Sequence, residues 1–409
     1  MKETGKKQQI TISADEIVQL VPENINRDEK MTFYYDESNN SGKFWLKPDK
    51  NGVSVFNTDI DENFIIAGIV CADREKDIDK DVLWSRLGLS HQVQELKFSK
   101  QFSEGEFLKT IAKKRVLDFF QWLDEQDYYI HVANINIFYY GIVDIIDSVI
   151  DRDDVLTLCN GVAHMYVAKL FELKEDLYNV LHHHKDEVEI LFAKYEYPNI
   201  KDSEQVAFCD ELIQMVNSDM NDNINLRYFV KRLEEEKNGG DLIFLKENKS
   251  NVLLEGFAEF YRHLYSLFPK SKHIFDKQNQ ISAELEQVEI MDGDSILDNF
   301  LFRDSKDVLQ IQISDVISGV FGQIYAYVNK KTDENIEEDI NNMNINQLKT
   351  LQLILKIQLN SDERNNGFFF FVAPISHRDR VIKMLIKASE RLKEEIIREF
   401  LKKKTEENT

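Results

Sequence analysis

A β-prone aromatic run, Phe33-Tyr34-Tyr35, ends abruptly in Asp36-Glu37-Ser38, and Asn39-Asn40-Ser41-Gly42 turns the chain directly after it. A run of this kind reads as a buried strand. A buried strand that delivers carboxylates to its end must give them a partner. A divalent metal ion is one such partner, because hard cations take oxygen ligands. The backbone is another: Asp36 can open a turn and satisfy orphan amide donors. The choice between the two falls to the residues downstream.

With 409 residues, the chain has room for two or three domain-sized units. Hydrophobic residues make up 43%, enough to build a core. Asp and Glu number 73 against 51 Lys and Arg, a net charge of −22. That balance argues against a general nucleic-acid coat protein, which would be basic. It leaves room for an enzyme that meets nucleic acid through one local basic patch and metal ions. Cys71, Cys159 and Cys209 are far apart and odd in number, so neither a disulfide framework nor a zinc spacing is present. The start, Met1-Lys2-Glu3-Thr4-Gly5-Lys6-Lys7, has no apolar signal core behind it, and the apolar run 64–72 is too short to span a bilayer. The expectation is a soluble cytoplasmic protein without a membrane partner. Neither a P-loop nor a Gly-x-Ser-x-Gly elbow occurs.

Residues 1–30 read as an arm with one weak apolar cluster, Ile17-Val18-Gln19-Leu20-Val21. Strand signals follow at 31–35 and 64–72, and the loop between them, with Trp45, Pro48 and Gly52, reads as a hairpin extension. Residues 93–98 alternate like a short strand or lead into a loop. Helical spacing runs over 107–123, and 128–140 is β-rich. Helical patterns fill 143–236, broken near Tyr197-Pro198-Asn199, and a further helix covers 253–268 before Pro269. Strand-like segments return at 272–275 and 299–302, followed by a helix over 314–328. The acidic, Asn-rich 330–346 reads as a loop, 347–359 as a helix, 368–373 as a buried strand and 377–404 as an amphipathic helix with Val381, Leu385, Ala388, Leu392, Ile396 and Phe400 on one stripe. This order suits an α/β fold with a mixed sheet flanked by helices. It divides into an arm (1–30), a first core part (31–140), a mostly helical insertion (141–268), a second core part with a closing helix (269–330) and a C-terminal extension (331–409).

Four carboxylates stand beside apolar elements: Asp36, Glu95, Asp276 and Asp315. Asp315, Gly319, Gly322 and Ala326 step by four, three and four, so they share one helix face. Each helical glycine costs about 1 kcal/mol against alanine, a cost that makes sense if this face approaches other backbone closely. The plainer reading places Asp315 near a helix start, where the macrodipole favours it. Glu95 can pair with Lys97 or Lys100 at the surface, Asp276 can serve a turn, and Asp304-Ser305 reads as an Asx turn.

Taken in order, these segments resemble the prokaryotic domain-of-unknown-function family numbered 3800. Tyr35-Asp36-Glu37-Ser38 resembles its opening Asp-Glu-Ser strand motif, and Glu95-Leu96-Lys97 its Glu-x-Lys element. Ile274-Phe275-Asp276 resembles a later strand ending in Asp. Asp304-Ser305 followed by Gln312-Ile313-Ser314-Asp315 resembles its closing signature. The resemblance covers about 31–105 and 270–328. One departure is Asn39 where the family usually carries Gly, with Gly42 arriving three residues later.

The resemblance implies a ribonuclease H-like core and metal-assisted hydrolysis of phosphodiester bonds in RNA or DNA. It implies two Mg²⁺ or Mn²⁺ ions, with Asp36 bridging them and Glu95, Asp276 and Asp315 completing their shells. Lys97 would contact the scissile phosphate or hold a carboxylate, and Glu37, Ser38, Asp304 and Ser305 would support the ligands. A role in phage defence with an operon-encoded protein partner follows from the same resemblance. The alternative is a non-catalytic binding or scaffold module that keeps the fold. His182-His183-His184 reads as a solvated helix end, because three consecutive helical residues cannot all face one ion. Residues 374–404 hold ten Lys or Arg against five Asp or Glu, a helix that either packs its apolar stripe or meets an acidic partner.

Overall fold

Alternation along residues 32–38 buries both faces of the opening strand: Phe33 and Tyr35 point one way, Tyr34 and Asp36 the other, and all four are buried. The computed structural model that establishes this describes residues 10–18, 25–71, 77–239 and 248–406, with Leu242 and Leu245. The start at 1–7, residues 19–21 of the weak N-terminal cluster and Ala72 lie outside the described residues.

Six strands form the central sheet: β1 (Thr32–Ser38), β2 (Asn63–Cys71), β3 (Tyr128–Asn136), β4 (Lys272–Asp276), β5 (Phe300–Arg303) and β6 (Phe369–Val372). Their spatial order is β5-β4-β1-β2-β3-β6. β1, β2 and β3 form an antiparallel meander. β4 runs parallel to β1 on its free edge, β5 parallel to β4, and β6 parallel to β3. All nine residues of β2 are buried, which accounts for its unbroken apolar run.

Helices cover both faces. Phe33, Tyr35, Phe64 and Ile66 meet the helical segment that links β3 to β4, among it Tyr166–His183, Gln205–Asp219 and Ala258–Leu267. Tyr34, Ile65, Ala67 and Ile69 meet α1 (Lys114–Glu125), α2 (Leu309–Asn329), α3 (Ile345–Arg364) and α4 (Ile375–Glu406). α2 lies directly over β1 and β2 because Gly68 makes room for it. A Cβ there would come 1.9 Å from the Tyr34 carbonyl oxygen and 2.4 Å from Ser314 Oγ. Ser314 uses the space to donate to the Tyr34 carbonyl at 2.9 Å and accept from Ile69 N at 3.3 Å.

Several elements differ from the sequence reading, each for a local reason. The helix expected over 107–123 is split at Lys113, whose extended backbone (φ −67°, ψ 132°) separates Phe107–Ala112 from α1. β3 stops at Asn136, whose side chain accepts from Tyr139 N at 2.8 Å and so starts the helix Ile137–Val149. The helix expected from 253 begins at Ala258, because Val252–Leu254 pairs as a strand with Phe44–Pro48. The acidic stretch expected as a loop holds the helix Asp333–Asn342, capped by Thr332 and neutralised by α4 cations. Residues 93–98 lead as a loop into one helical turn, Phe98–Phe102. The small sheet of Ile10–Ser13, Val288–Asp292 and Ser295–Ile296 had no clear signal.

Candidate functional site

Register places Asp36 first. It faces α2 from β1, opposite Ala67 of β2, and Tyr35 pairs with Phe275, so Asp276 closes β4 beside it. α2 begins at Leu309, which puts Asp315 in its second turn rather than at its start. The macrodipole reading of Asp315 therefore fails: the end effect is concentrated in the first turn. Glycines let neighbouring groups press onto the same face of α2. A Cβ on Gly319 would fall 2.2 Å from the Phe98 ring, and one on Gly322 would fall 3.0 Å from Ser38 Oγ.

The segment carrying Glu95 and Lys97 is strapped across this face by backbone hydrogen bonds. Leu96 N donates to Gln312 Oε1 at 2.8 Å, and Phe98 N donates to Asp315 Oδ2. Ser305 joins the remaining parts. Its amide donates to Asp276 Oδ1 at 3.0 Å, its hydroxyl donates to Glu95 Oε1 at 2.8 Å, and its carbonyl accepts from Gln312 Nε2 at 2.7 Å. Four chain segments distant in sequence thus meet at one sheet end.

Lys97 sits among the carboxylates. Its Nζ lies 3.5 Å from Glu95 Oε1, 3.8 Å from Asp36 Oδ2 and 4.0 Å from Asp315 Oδ1, and 3.4 Å from Ser305 Oγ. Burial pushes the Asp36 carboxyl up to about 9, with the charges of Glu37 and Asp315 adding to it and Lys97 pulling back. Asp315 is raised mainly by burial as well. Burial acts to lower the Lys97 ammonium, but the fields of Asp36, Asp315, Asp276 and Glu95 outweigh it, and its pKa is raised. Asp36 Oδ1 accepts from Glu37 N at 2.8 Å, while Oδ2 is buried without a hydrogen-bond partner among the described residues.

Glu37 points to the opposite face of β1, as alternation requires. Tyr261 donates to it at 3.4 Å and Gln278 donates to its other oxygen. Burial, then the charge of Asp276, raises it to about 7. Asp304 stays with its turn, accepting from Lys306 N at 3.0 Å. Three residues escaped the sequence reading in their roles. Gln312 stood in the closing motif, but only the fold reveals it as the clamp between Leu96 and Ser305. Tyr261 and Gln278 carried no signal.

All the carboxylate donors here are hard oxygens, and one of them, Asp36 Oδ2, is buried with no hydrogen-bond partner among the described residues and only Lys97 nearby at 3.8 Å. That set fits Mg²⁺ or Mn²⁺. The carboxylates surround Lys97 rather than touch one another. Among the described residues, the one group of three ligand atoms lying within 4.8 Å of each other is His183, His184 and Asp219. The histidine run does end a helix, as the sequence suggests: His183, which is exposed, closes Tyr166–His183, and His184 forms the junction to Lys185–Lys194.

No helix among the described residues is long and apolar enough to cross a membrane. The chain matches no family model, no curated protein and no solved structure.

Proposed function

We propose that the chain is a metal-dependent nuclease with a ribonuclease H-like core. The support from the fold is a three-strand antiparallel meander extended on the β1 edge by two parallel strands, with the first strand central. The observation that carries the chemistry is the gathering of Asp36, Glu95 and Asp315 around Lys97, with Asp276 joined to Glu95 through Ser305 and one buried Asp36 oxygen lacking a hydrogen-bond partner among the described residues. These four would hold Mg²⁺ or Mn²⁺, which when bound supply an activated water and neutralise charge developing on a phosphodiester. Ser305 and Gln312 fix the Glu95 and Asp276 carboxylates in place. Lys97 is mobile enough in its stem to turn from the carboxylates to a phosphate oxygen. The substrate class is RNA or DNA.

The test is cleavage of labelled RNA and DNA with Mg²⁺ or Mn²⁺ by the parent and by the Asp36→Asn/Asp315→Asn variant. The parent cleaves and the variant loses cleavage; equal cleavage by both removes the site from the mechanism. One observation favours a second reading, a non-catalytic module acting with a partner protein: the Lys97 ammonium already occupies the space among the carboxylates, within 4.0 Å of three of them. That reading requires no carboxylate-dependent heat when Mn²⁺ is titrated in at millimolar levels.

A further inference from the structure

Where the helix Tyr166–His183 gives way to Lys185–Lys194, His184 takes a non-helical backbone (φ −95°, ψ 32°). Consecutive residues on an unbroken helix diverge by about 100°. The break cancels that divergence, and the His183 and His184 rings lie 4.8 Å apart, centroid to centroid. Both rings turn toward the end of a third helix, Gln205–Asp219. His183 Nδ1 is 2.7 Å from Asp219 Oδ2, and His184 Nε2 is 3.7 Å from the same oxygen. Ser218 Oγ stands 3.5 Å from His184 Nε2, and Glu187 Oε2 lies 4.0 Å from His184 Nδ1. His182 takes no part: its Nε2 pairs with Asp61 at 2.8 Å.

We infer that His183, His184 and Asp219 form a transition-metal site of the zinc type at the corner of the helical segment, separate from the carboxylate cluster on the sheet. The donor set decides the class. Two imidazole nitrogens and one carboxylate suit Zn²⁺ and its first-row neighbours, whereas Mg²⁺ prefers all-oxygen surroundings. Arms of about 2.0–2.1 Å in a tetrahedral site put neighbouring ligand atoms about 3.4 Å apart. The observed 2.7 and 3.7 Å bracket that separation, and all three ligand atoms lie within 4.8 Å of one another, so side-chain rotations of about an ångström open the place for the ion. Three protein ligands leave a fourth position for water. Glu187, on the far nitrogen of His184, is placed to orient that ring, as carboxylates do behind metal-bound histidines.

A metal here ties the end of Gln205–Asp219 to the helix junction, so it adds stability by binding only the folded chain. The full-length protein is titrated with Co²⁺ and Zn²⁺, following the visible Co²⁺ bands of a nitrogen-ligated tetrahedral site and the unfolding temperature. One Co²⁺ per chain with those bands, a rise in unfolding temperature with Zn²⁺, and both lost on His183→Ala/His184→Ala support the site. Affinity falls on the order of 100-fold or more in that variant. His183 is exposed, so His183→Ala alone serves as a second probe with little effect on folding. The Asp36→Asn/Asp315→Asn variant keeps the bands. Absence of the bands in the parent, their survival in the histidine variants, or their loss in the Asp36 and Asp315 variant overturns the inference.

Discussion

Lys97 lies within 4.0 Å of three of the site's carboxylates. It is the cation shared by Asp36, Glu95 and Asp315, and its removal takes away the positive charge that offsets the ionised carboxylates of the cluster. Lys97→Ala is expected to destabilise the metal-free protein by about 1–3 kcal/mol and to leave Mn²⁺ binding equal or tighter while cleavage falls. Urea denaturation, calorimetry and a cleavage assay read the three effects separately; unchanged stability and cleavage would show that the ammonium is a bystander. The glycines argue at the same scale. Gly68→Ala drives a methyl onto the fixed Tyr34 carbonyl and onto Ser314, and costs about 3 kcal/mol by thermal or chemical unfolding. Gly322→Ala meets the end of the Ser38 side chain at 3.0 Å, which can rotate away, and costs less. Equal losses for the two substitutions would contradict the close approach of α2 over β2.

Elements are legible in the sequence where burial is two-sided or periodic, and obscure where the partner is far along the chain. β2 and β6 announce themselves as apolar runs, and α2 by its glycine-stepped face. Asp36, Asp276 and Asp315 are legible because each closes or enters an apolar element. Their convergence is not, since it depends on β4 joining β1 some 240 residues away. The helix Asp333–Asn342 is hidden for the same reason: its acids read as loop until α4 supplies their counter-charges. Arg380 and Lys383 both reach Asp333 at 2.8 Å, and Lys387 pairs with Glu337. Much of the basic helix is therefore neutralised within the chain, which weakens the case for its meeting a nucleic-acid backbone. The arrangement also sets a modest expectation for Asp333→Ala: a loss of about 0.5–1 kcal/mol, shrinking as salt is added. Denaturation at low and high ionic strength checks it, and a loss insensitive to salt would point to packing instead.

Across the whole molecule, protons work in two directions. His263 and His377 are pushed down to about 4 by burial and His273 to about 3, and His131 is also lowered, so all four are neutral in the fold. Below about 6.5 the unfolded chain takes up protons that these folded groups refuse. Their contribution is complete above pH 6.5 and declines as pH falls toward 4, by up to about 1.4 kcal/mol per pH unit for each. Asp36, at about 9, and Glu37, at about 7, have the opposite sign: each keeps a proton that its unfolded counterpart sheds, so each adds stability as pH drops. Asp315, Asp144 and Glu259, also raised by burial, act in the same direction as Asp36 and Glu37. The histidines and these carboxylates therefore oppose one another between pH 6.5 and 5, and removing one carboxylate tilts the balance toward loss. Urea midpoints at stepped pH should fall more steeply over that interval in Asp36→Asn than in the parent. A profile unchanged by the substitution would refute this balance.

The order of the strands also dictates when the molecule can begin to work during synthesis. β1 waits for β4, and Asp36 waits for Asp315, so a ribosome-bound chain that has emerged through β3 holds only Asp36, Glu95 and Lys97 of the cluster. Whatever chemistry the completed cluster performs is thereby withheld from the nascent chain until synthesis has passed Asp315.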